Sequence, residues 1–364
     1  MKNKIPGLLT VILCAAVIFG FAAWSIIKPD EAVSAAERRR LAQMPDVSIG
    51  TVLGGSFMSE FESYALDQFP MRDELRTLKA GFSLELLRQK DNNGYYLASG
   101  HAAKLDYTLS EDSVDNAAKR FGYVYERYLK DSGCKVYLSL VPDKSYYMTA
   151  EQPTLDFDAL SQMLCGKMPY AKYIDLAPSL GLDCYYLSDP HWDQAKLIGT
   201  AQALANAMGV TLSGEYSEAV LSNSFRGAYA AQLAMPMQPD KLTVLTNDVL
   251  SSCTVYDFES GKTTGLYDKA AADGLDAYSV FLNGSRALLT VENPAAERER
   301  ELIIFRDSFG SSIAPLLAEG YAKITLVDIR YISPERLDKF LSSSGQDVLF
   351  LYSSSVINSS SQLM

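Results

Sequence analysis

Apolar positions along the chain follow three patterns, and the first is one long uninterrupted run. Residues 5–27 carry no charged side chain, and Lys2 and Lys4 precede them. A hydrocarbon core about 30 Å thick needs about 20 apolar helical residues, whereas a signal-peptide core usually has about 7–15. The run therefore favours an uncleaved, single-pass signal anchor with a cytoplasmic N-terminus and an extracytoplasmic body. The alternative is cleavage after the small residues 34–36.

The second pattern is apolar residues at helical spacing. Residues 28–60 are charged, then contain Pro and Gly, which is typical of a membrane-proximal stalk. Helical spacing occurs over 57–90 and again over 110–132, and the Gly- and Tyr-rich stretch 92–105 between them predicts a hairpin. We predict that the main domain covers 61–364.

The third pattern is an alternation of short apolar or β-branched runs with helical stretches. The predicted strands are 135–141, 173–176, 185–187, 301–305, 323–327 and 347–352. The predicted helices are 192–208, 311–319 and 334–342. This alternation predicts an α/β fold with three layers, in which helices cover both faces of a parallel sheet. Such a sheet places its chemistry at the carboxyl ends of its strands. Residues from about 212 to 298 alternate more like antiparallel strands and are interpreted as an insertion or cap.

Composition and charge exclude several classes of protein. The chain is 48% hydrophobic and 21% charged, which is globular, and its net charge is −11. No basic run is long enough to follow a phosphate backbone, so nucleic acid is not an expected partner. The five cysteines form no CxxC or Cys/His cluster, which argues against a metal site. We interpret them as free thiols, with a disulfide framework as the open alternative.

Two segments carry the residue types that acyl transfer needs. Asp189 stands two positions before His191, so its carboxylate can meet and orient the imidazole. Ser308 lies between a predicted strand and a predicted helix, where backbone N–H groups, beginning at Phe309, can face a developing oxyanion. A serine nucleophile needs a base. The chain has only two histidines, and His101 is interpreted as a surface-loop residue, so His191 is the candidate base.

Each segment also has a simpler interpretation. Asp189 or Asp193 is a suitable cap for the helix that follows, and serine is a favoured cap as well. Their joint occurrence at successive predicted strand ends strengthens the catalytic interpretation, and capping stays open as the alternative.

An ordered series of blocks resembles the DHHW family and, more distantly, the SGNH-hydrolase-like domains of the alginate O-acetylation proteins AlgX and AlgJ. In chain order the blocks are Glu37 to Pro45, Phe61 to Arg72, Val141 to Tyr147, Asp189 to Trp192, Tyr278 to Gly284 and Arg306 to Gly310. Asp189-Pro190-His191-Trp192 matches the name-giving motif at three of four positions. Pro190 replaces the family's His or Thr, so any polar role at that position is absent.

The resemblance implies an SGNH-like fold in which the Asp-x-His block precedes the serine, the reverse of the usual order. It also implies a cell-envelope role in O-acetylating an exported polysaccharide, often beside a membrane-bound acyltransferase, and it calls for no cofactor. The asparagine of ordinary SGNH enzymes has no secure counterpart. Asn358 is one candidate for it, and Arg330 is a candidate for holding charge near the serine.

Three functions remain open from the sequence. The leading hypothesis is an O-acyltransferase in which Ser308 attacks an acyl donor, His191 relays the proton and Asp189 orients His191. The second is a carbohydrate esterase with the same triad and water as acceptor. The third is a catalytically silent partner that binds glycan or a membrane acyltransferase, and the intact set of three residues argues against it.

Overall fold

A computed structural model describes residues 4–149, 152–296, 299–341 and 344–364. The chain forms two compact units. The smaller contains the residues up to Asn92 together with 234–236, and the larger contains 93–233 and 237–364. This boundary differs from the predicted start of the main domain at residue 61, because helices continue past that point within the smaller unit.

The smaller unit is mainly helical. Its helices are α1 (Lys4–Ile27), α2 (Ile49–Leu53), α3 (Ser56–Asp67) and α4 (Arg72–Gly81), and a π-helical turn, Phe82–Leu86, continues α4. Its strands are β1 (Val33–Ser34) and β2 (Arg39–Arg40). Within α1, Pro6–Ile27 is long and apolar enough to cross a membrane, with a mean hydropathy of 2.4 and no buried residues. This helix is compatible with an anchor or a signal sequence.

The larger unit alternates strands and helices. Its strands are β3 (Tyr95–Ala98), β4 (His101–Lys104), β5 (Lys135–Val141), β6 (Lys172–Tyr173), β7 (Ser217–Phe225), β8 (Asp240–Thr246), β9 (Thr254–Asp257), β10 (Lys262–Thr264), β11 (Leu288–Glu292), β12 (Glu301–Arg306), β13 (Lys323–Val327) and β14 (Asp347–Ser353). Its α-helices are α5 (Glu111–Val124), α6 (Phe157–Lys167), α7 (Ile198–Ala207), α8 (Ala228–Leu233), α9 (Asp248–Ser252), α10 (Phe309–Leu317) and α11 (Ser354–Asn358). The π-helical turn Tyr125–Leu129 extends α5.

An eight-stranded sheet organises this unit, in the order β10-β9-β11-β13-β12-β14-β5-β6. The five neighbouring strands β13, β12, β14, β5 and β6 run parallel to one another. The pairs β13–β11, β11–β9 and β9–β10 are antiparallel. The predicted α/β fold with a parallel sheet is therefore confirmed for the central strands. The stretch interpreted as a cap instead contributes β9, β10 and β11 to one side of this sheet. Its strands β7 and β8 form a separate two-stranded antiparallel sheet.

Hydrophobic side chains fill both faces of the sheet because alternate residues of a strand point to opposite sides. On β12, Leu302 and Ile304 join one core cluster, which includes residues of α7 and α10. Ile303 and Phe305 join the other, which includes residues of α5 and α6. The result is the predicted three-layer arrangement. The five cysteines are free thiols.

The larger unit also contains short 3₁₀ segments, and Pro334–Lys339 among them lies within the predicted helix 334–342. They are Lys144–Tyr147, Ala177–Ser179, Leu182–Cys184, Gln194–Lys196, Lys269–Asp273, Ala277–Val280, Ala318–Gly320, Pro334–Lys339 and Ser360–Gln362. The predicted strand 185–187 is a loop with one isolated bridge, from Tyr185 to Trp192. It is a loop because the chain turns back at once: the Tyr186 N–H donates to the His191 carbonyl at 3.1 Å.

Candidate active site

Ser308 lies at the carboxyl end of β12, immediately before the first residue of α10. The Asp307 carboxylate fixes this turn. One of its oxygens accepts from the Phe309 N–H at 3.0 Å, and the other accepts from the N–H and hydroxyl of Ser353, both at 2.7 Å. Ser353 ends the neighbouring strand β14. These hydrogen bonds tie the turn to the neighbouring strand and hold Ser308 at the carboxyl-terminal end of the parallel strands.

His191 lies between Asp189 and Ser308. Its Nδ1 is 2.6 Å from Asp189 Oδ1, and its Nε2 is 2.7 Å from Ser308 Oγ. The Asp189 side chain is 2% exposed and that of His191 is 15% exposed. A buried carboxylate that meets one ring nitrogen favours the tautomer with its proton on Nδ1. The other nitrogen is then free to accept the serine proton.

A close backbone approach holds Asp189 in this position. Its second carboxylate oxygen accepts from the Ala228 N–H at 2.9 Å. Gly227 packs so tightly against the aspartate that a Cβ there would lie 2.2 Å from Asp189 Cβ and 2.5 Å from Oδ2. No larger residue fits at 227 without moving the aspartate.

The loop that carries Asp189 is secured by a second carboxylate and a buried lysine. Asp240 accepts from the N–H groups of Leu187 and Ser188, at 2.7 and 2.9 Å. Lys144 Nζ donates to the carbonyls of Tyr186 and Leu187, at 2.7 and 3.3 Å. Burial lowers the pKa of Lys144 to about 8, although Asp143, Asp189 and Asp240 act in the opposite direction. Asp240 lies 52 positions along the chain from Ser188 in the loop that it holds, so no local sequence pattern predicts its role.

Aromatic rings enclose the imidazole of His191. Tyr278 is stacked on it, with ring centroids 3.8 Å apart, and Phe309 is tilted against it at 4.9 Å. Tyr278 is itself fixed by a 2.8 Å hydrogen bond from its hydroxyl to Ser312 Oγ, which also accepts from Trp192 Nε1 at 2.7 Å. The ring of His191 is thus held on two sides as well as at both nitrogens.

A cavity of about 280 Å³ opens over Ser308 and His191. Its other lining residues are Tyr95, Lys104, Asp143, Pro190, Tyr229, Phe309, Ser353, Ser355 and Val356. Asp143, Ser308 and Ser353 lie at or just after the carboxyl ends of β5, β12 and β14. The cavity therefore occupies the edge where a parallel sheet places its ligands.

The weaker site candidates have other roles in this arrangement. The Phe309 N–H already donates to Asp307. The Arg330 side chain donates two hydrogen bonds to Asp328, at 2.9 and 2.6 Å, and does not line the described cavity.

Asn358 lies at the end of α11 and also outside this cavity lining. Its side chain accepts from the Ser110 N–H at 2.9 Å and donates to the Thr108 carbonyl at 3.0 Å. The interpretation of His101 as a surface-loop residue was wrong: it begins β4 and is 7% exposed, and burial lowers its pKa.

No family model and no curated protein matches the sequence. Solved structures do match the fold. A DHHW family protein from Eubacterium siraeum aligns over 73% of this chain and 93% of its own, with 21% identity and a TM-score of 0.60. Bacillus cereus PatB1, solved with a sulfonyl adduct, aligns over 72% of this chain and 95% of its own, with 18% identity and a TM-score of 0.58.

The chain has the fold of these two proteins. The resemblance to a DHHW family protein and the α/β fold predicted from the sequence are therefore confirmed. PatB1 without the adduct gives a similar alignment, with a TM-score of 0.56. Likeness at such identities concerns the fold alone, so the chemical roles of Asp189, His191 and Ser308 stay predictions.

Proposed function

We propose that the chain is a serine acyl-transfer enzyme whose nucleophile is Ser308. The observation that carries the proposal is the continuous hydrogen-bonded series from Asp189 through His191 to Ser308, with contacts of 2.6 and 2.7 Å at the floor of an open cavity. A nucleophile, a base within hydrogen-bond distance and a group that orients the base are what acyl transfer by serine needs.

In the first half-reaction, Ser308 Oγ attacks the carbonyl carbon of an acyl donor and passes its proton to His191 Nε2. Asp189 stabilises the imidazolium that forms. The carbonyl oxygen becomes negative and faces the N-terminus of α10. The Ser308 N–H has no hydrogen-bond partner among the described residues and is the first candidate donor to that oxygen. When the C–O bond to the leaving group breaks, His191 protonates that group, and acyl-Ser308 remains.

In the second half-reaction, an acceptor hydroxyl gives its proton to His191 and attacks the acyl carbon of acyl-Ser308. As the bond from that carbon to Ser308 Oγ breaks, His191 returns the proton to Oγ, which restores the free serine. We propose that the acceptor belongs to a cell-envelope or exported polysaccharide and that the acyl group is acetyl. The DHHW resemblance implies both. The rings of Tyr95 and Tyr229 in the cavity lining suit the apolar faces of a sugar. The cavity, about 280 Å³, fits a short acyl group better than a long chain.

Hydrolysis is the second candidate function, and one observation favours it. The His191 side chain is 15% exposed, so water reaches the base in the free protein. With water in place of the sugar hydroxyl, the same steps remove an acetyl group from a glycan. A silent partner is the weakest candidate, because binding alone gives no reason for this aligned set of three side chains.

We also propose that α1 stays in the membrane as an anchor and holds the larger unit outside the cytoplasm. This placement suits an envelope polysaccharide as acceptor. A membrane-bound acyltransferase is then a suitable source of the acyl group, because it can deliver activated acyl units across the bilayer. Identification of the mature N-terminus by mass spectrometry tests the anchor, since cleavage near Ala36 contradicts it.

A transfer assay separates the candidate functions. The full chain in detergent is supplied with an activated aryl acetate, with and without an oligosaccharide acceptor. The proposal expects a slow release of the aryl group that depends on Ser308, and acetylated oligosaccharide when acceptor is present. Free acetate alone, together with deacetylation of an added acetylated glycan, would establish the esterase. Unchanged turnover in Ser308→Ala would contradict both enzymatic functions.

A further inference from the structure

The apolar face of α4 points away from the body of its own unit. Met71, Leu75, Leu78, Phe82 and Leu86 form a stripe at helical spacing along α4 and its π-helical continuation. Their exposed fractions lie between 38% and 68%. We call these five residues the α4 stripe. Contiguous exposed apolar surface of this kind marks a site that something else covers.

The inward side of the helix, about a third of a turn around from the stripe, carries charged and small residues. Arg72 and Arg76 both pair with Glu37, whose side chain is only 9% exposed, and Arg76 Nε lies 2.9 Å from its carboxylate. Ala80 and Ser83 are buried on the same side. A surface helix in water normally turns its apolar face inward and its charges outward. In α4 the apolar residues point outward and Arg72 and Arg76 point inward. This arrangement indicates that the outer face of α4 contacts something other than water.

The position of α4 relative to α1 indicates what that medium is. Phe69, three residues before α4, is stacked on Phe21 of α1, with centroids 5.3 Å apart and planes 11° apart. Phe21 also stacks with Trp24 at 6.0 Å. Phe21 lies six residues before the end of α1, a helical rise of about 9 Å. Tryptophan near the end of a spanning helix is typical of the lipid–water interface. The start of α4 is therefore held at interfacial depth.

We propose that the α4 stripe lies in the extracytoplasmic interface of the bilayer that α1 spans. Lipid acyl chains and headgroups then cover the α4 stripe, while the ion pairs of Arg72 and Arg76 with Glu37 face the rest of the smaller unit. An interfacial helix of this type buries its apolar face by about 5–10 Å. The inference rests on the proposed anchoring of α1 but not on the proposed acyl-transfer chemistry.

Quenching of tryptophan fluorescence by brominated lipid tests this placement in the full chain. The wild type contains only Trp24 and Trp192. Leu78→Trp adds a reporter on the stripe. Asp73→Trp is the matched control, about 140° around the same helix. Each variant is placed in nanodiscs of ordinary lipid and of lipid brominated near the headgroup, and the wild-type signal is subtracted.

The proposal expects bromine to remove most of the added emission in Leu78→Trp and to leave that of Asp73→Trp nearly unchanged. Retention of the Leu78→Trp signal, or equal quenching of both variants, overturns it. Shielding of residue 78 from a water-soluble quencher without quenching by bromine also overturns it, in favour of a protein surface. Quenching of Trp24 reports separately whether α1 is inserted, and none of these signals depends on acyl transfer.

Discussion

Tyr278 lies flat against His191, with the two ring planes 10° apart and the ring centroids separated by 3.8 Å. An aromatic face favours a cation placed over it. In the proposed reaction the imidazole becomes a cation when it takes the Ser308 proton. Tyr278 is therefore positioned to stabilise that state and to keep the ring aligned between Asp189 and Ser308.

Replacement of Tyr278 by leucine removes the aromatic face. We expect kcat to fall about tenfold, which corresponds to about 1.4 kcal/mol and lies within the usual range for a desolvated cation–π contact. KM should change much less, because the ring acts on the charged state of His191. Steady-state kinetics with an activated acetate ester measures both.

Tyr278→Phe is the matched control, since it keeps the ring and loses only the hydrogen bond to Ser312. It should retain most of kcat. If the phenylalanine and leucine variants lose kcat equally, the hydroxyl matters and the stacked ring does not.

The close packing of Gly227 against Asp189 leads to a second prediction. Gly227→Ala forces a methyl group to within 2.2 Å of Asp189 Cβ and 2.4 Å of its Cα, so the two segments must separate. We expect a loss of about 1–3 kcal/mol in the free energy of unfolding, as is usual for overpacking. Activity should fall at the same time, because Asp189 moves away from His191.

The matched control is Gly122→Ala within α5, where an added Cβ meets nothing within 4 Å. It should stabilise the protein by up to about 1 kcal/mol, because alanine favours helix. Urea unfolding measures both variants. Equal stability of Gly227→Ala and wild type would show that the loop around Asp189 yields easily, contrary to the close packing described.

The lowered pKa of the buried Lys144 predicts that the free energy of unfolding depends on pH. Burial lowers its pKa from the ordinary 10.5 to about 8 in the folded protein. Below about pH 8 the lysine is charged in both states, and the folded state carries the full burial penalty. Between about pH 8 and 10.5 the unfolded chain binds more protons than the folded one, so the free energy of unfolding rises with pH from this group.

Lys144→Met should abolish this rise, whereas Lys119→Met, at an exposed position of α5, should keep it. Urea unfolding between about pH 7.5 and 9.5 isolates the lysine only as the difference in slope between the wild type and Lys144→Met. Burial also raises the pKa of Cys165, Cys184 and Cys253, so these thiols lower the slope of both proteins alike. At higher pH the buried tyrosines oppose it, because burial raises the pKa of Tyr185 and Tyr229. Identical pH slopes for the wild type and Lys144→Met would contradict the assignment.

Local chemistry made part of this site predictable from the sequence. Asp189 and His191 are two residues apart, and Ser308 follows an apolar strand that ends at a helix. The strands β5, β12, β13 and β14 were predicted within one residue at either end. These strands are buried on both faces and therefore appear as continuous apolar runs.

Features that depend on contacts between distant segments could not be predicted from the sequence. Asp240 meets Ser188 across 52 positions, and Tyr278 lies still farther along the chain from His191, so no local spacing reveals either pair. The strands β9 and β11 were assigned to a cap because their antiparallel pairing is not visible in the order of elements. The loop before Asp189 was mistaken for a strand because its tyrosines are buried without belonging to the sheet.

Covalent labelling of Ser308 tests the central claim most directly. The related fold of PatB1 has been solved with a sulfonyl adduct, and an arylsulfonyl fluoride reacts with a serine that a neighbouring base activates. We predict one adduct per chain, mapped to Ser308 by peptide mass spectrometry. It should be absent in Ser308→Ala, strongly slowed in His191→Ala and unchanged in Ser355→Ala, whose serine lines the same cavity. Labelling at another residue, or undiminished labelling of His191→Ala, would contradict the proposed nucleophile and base.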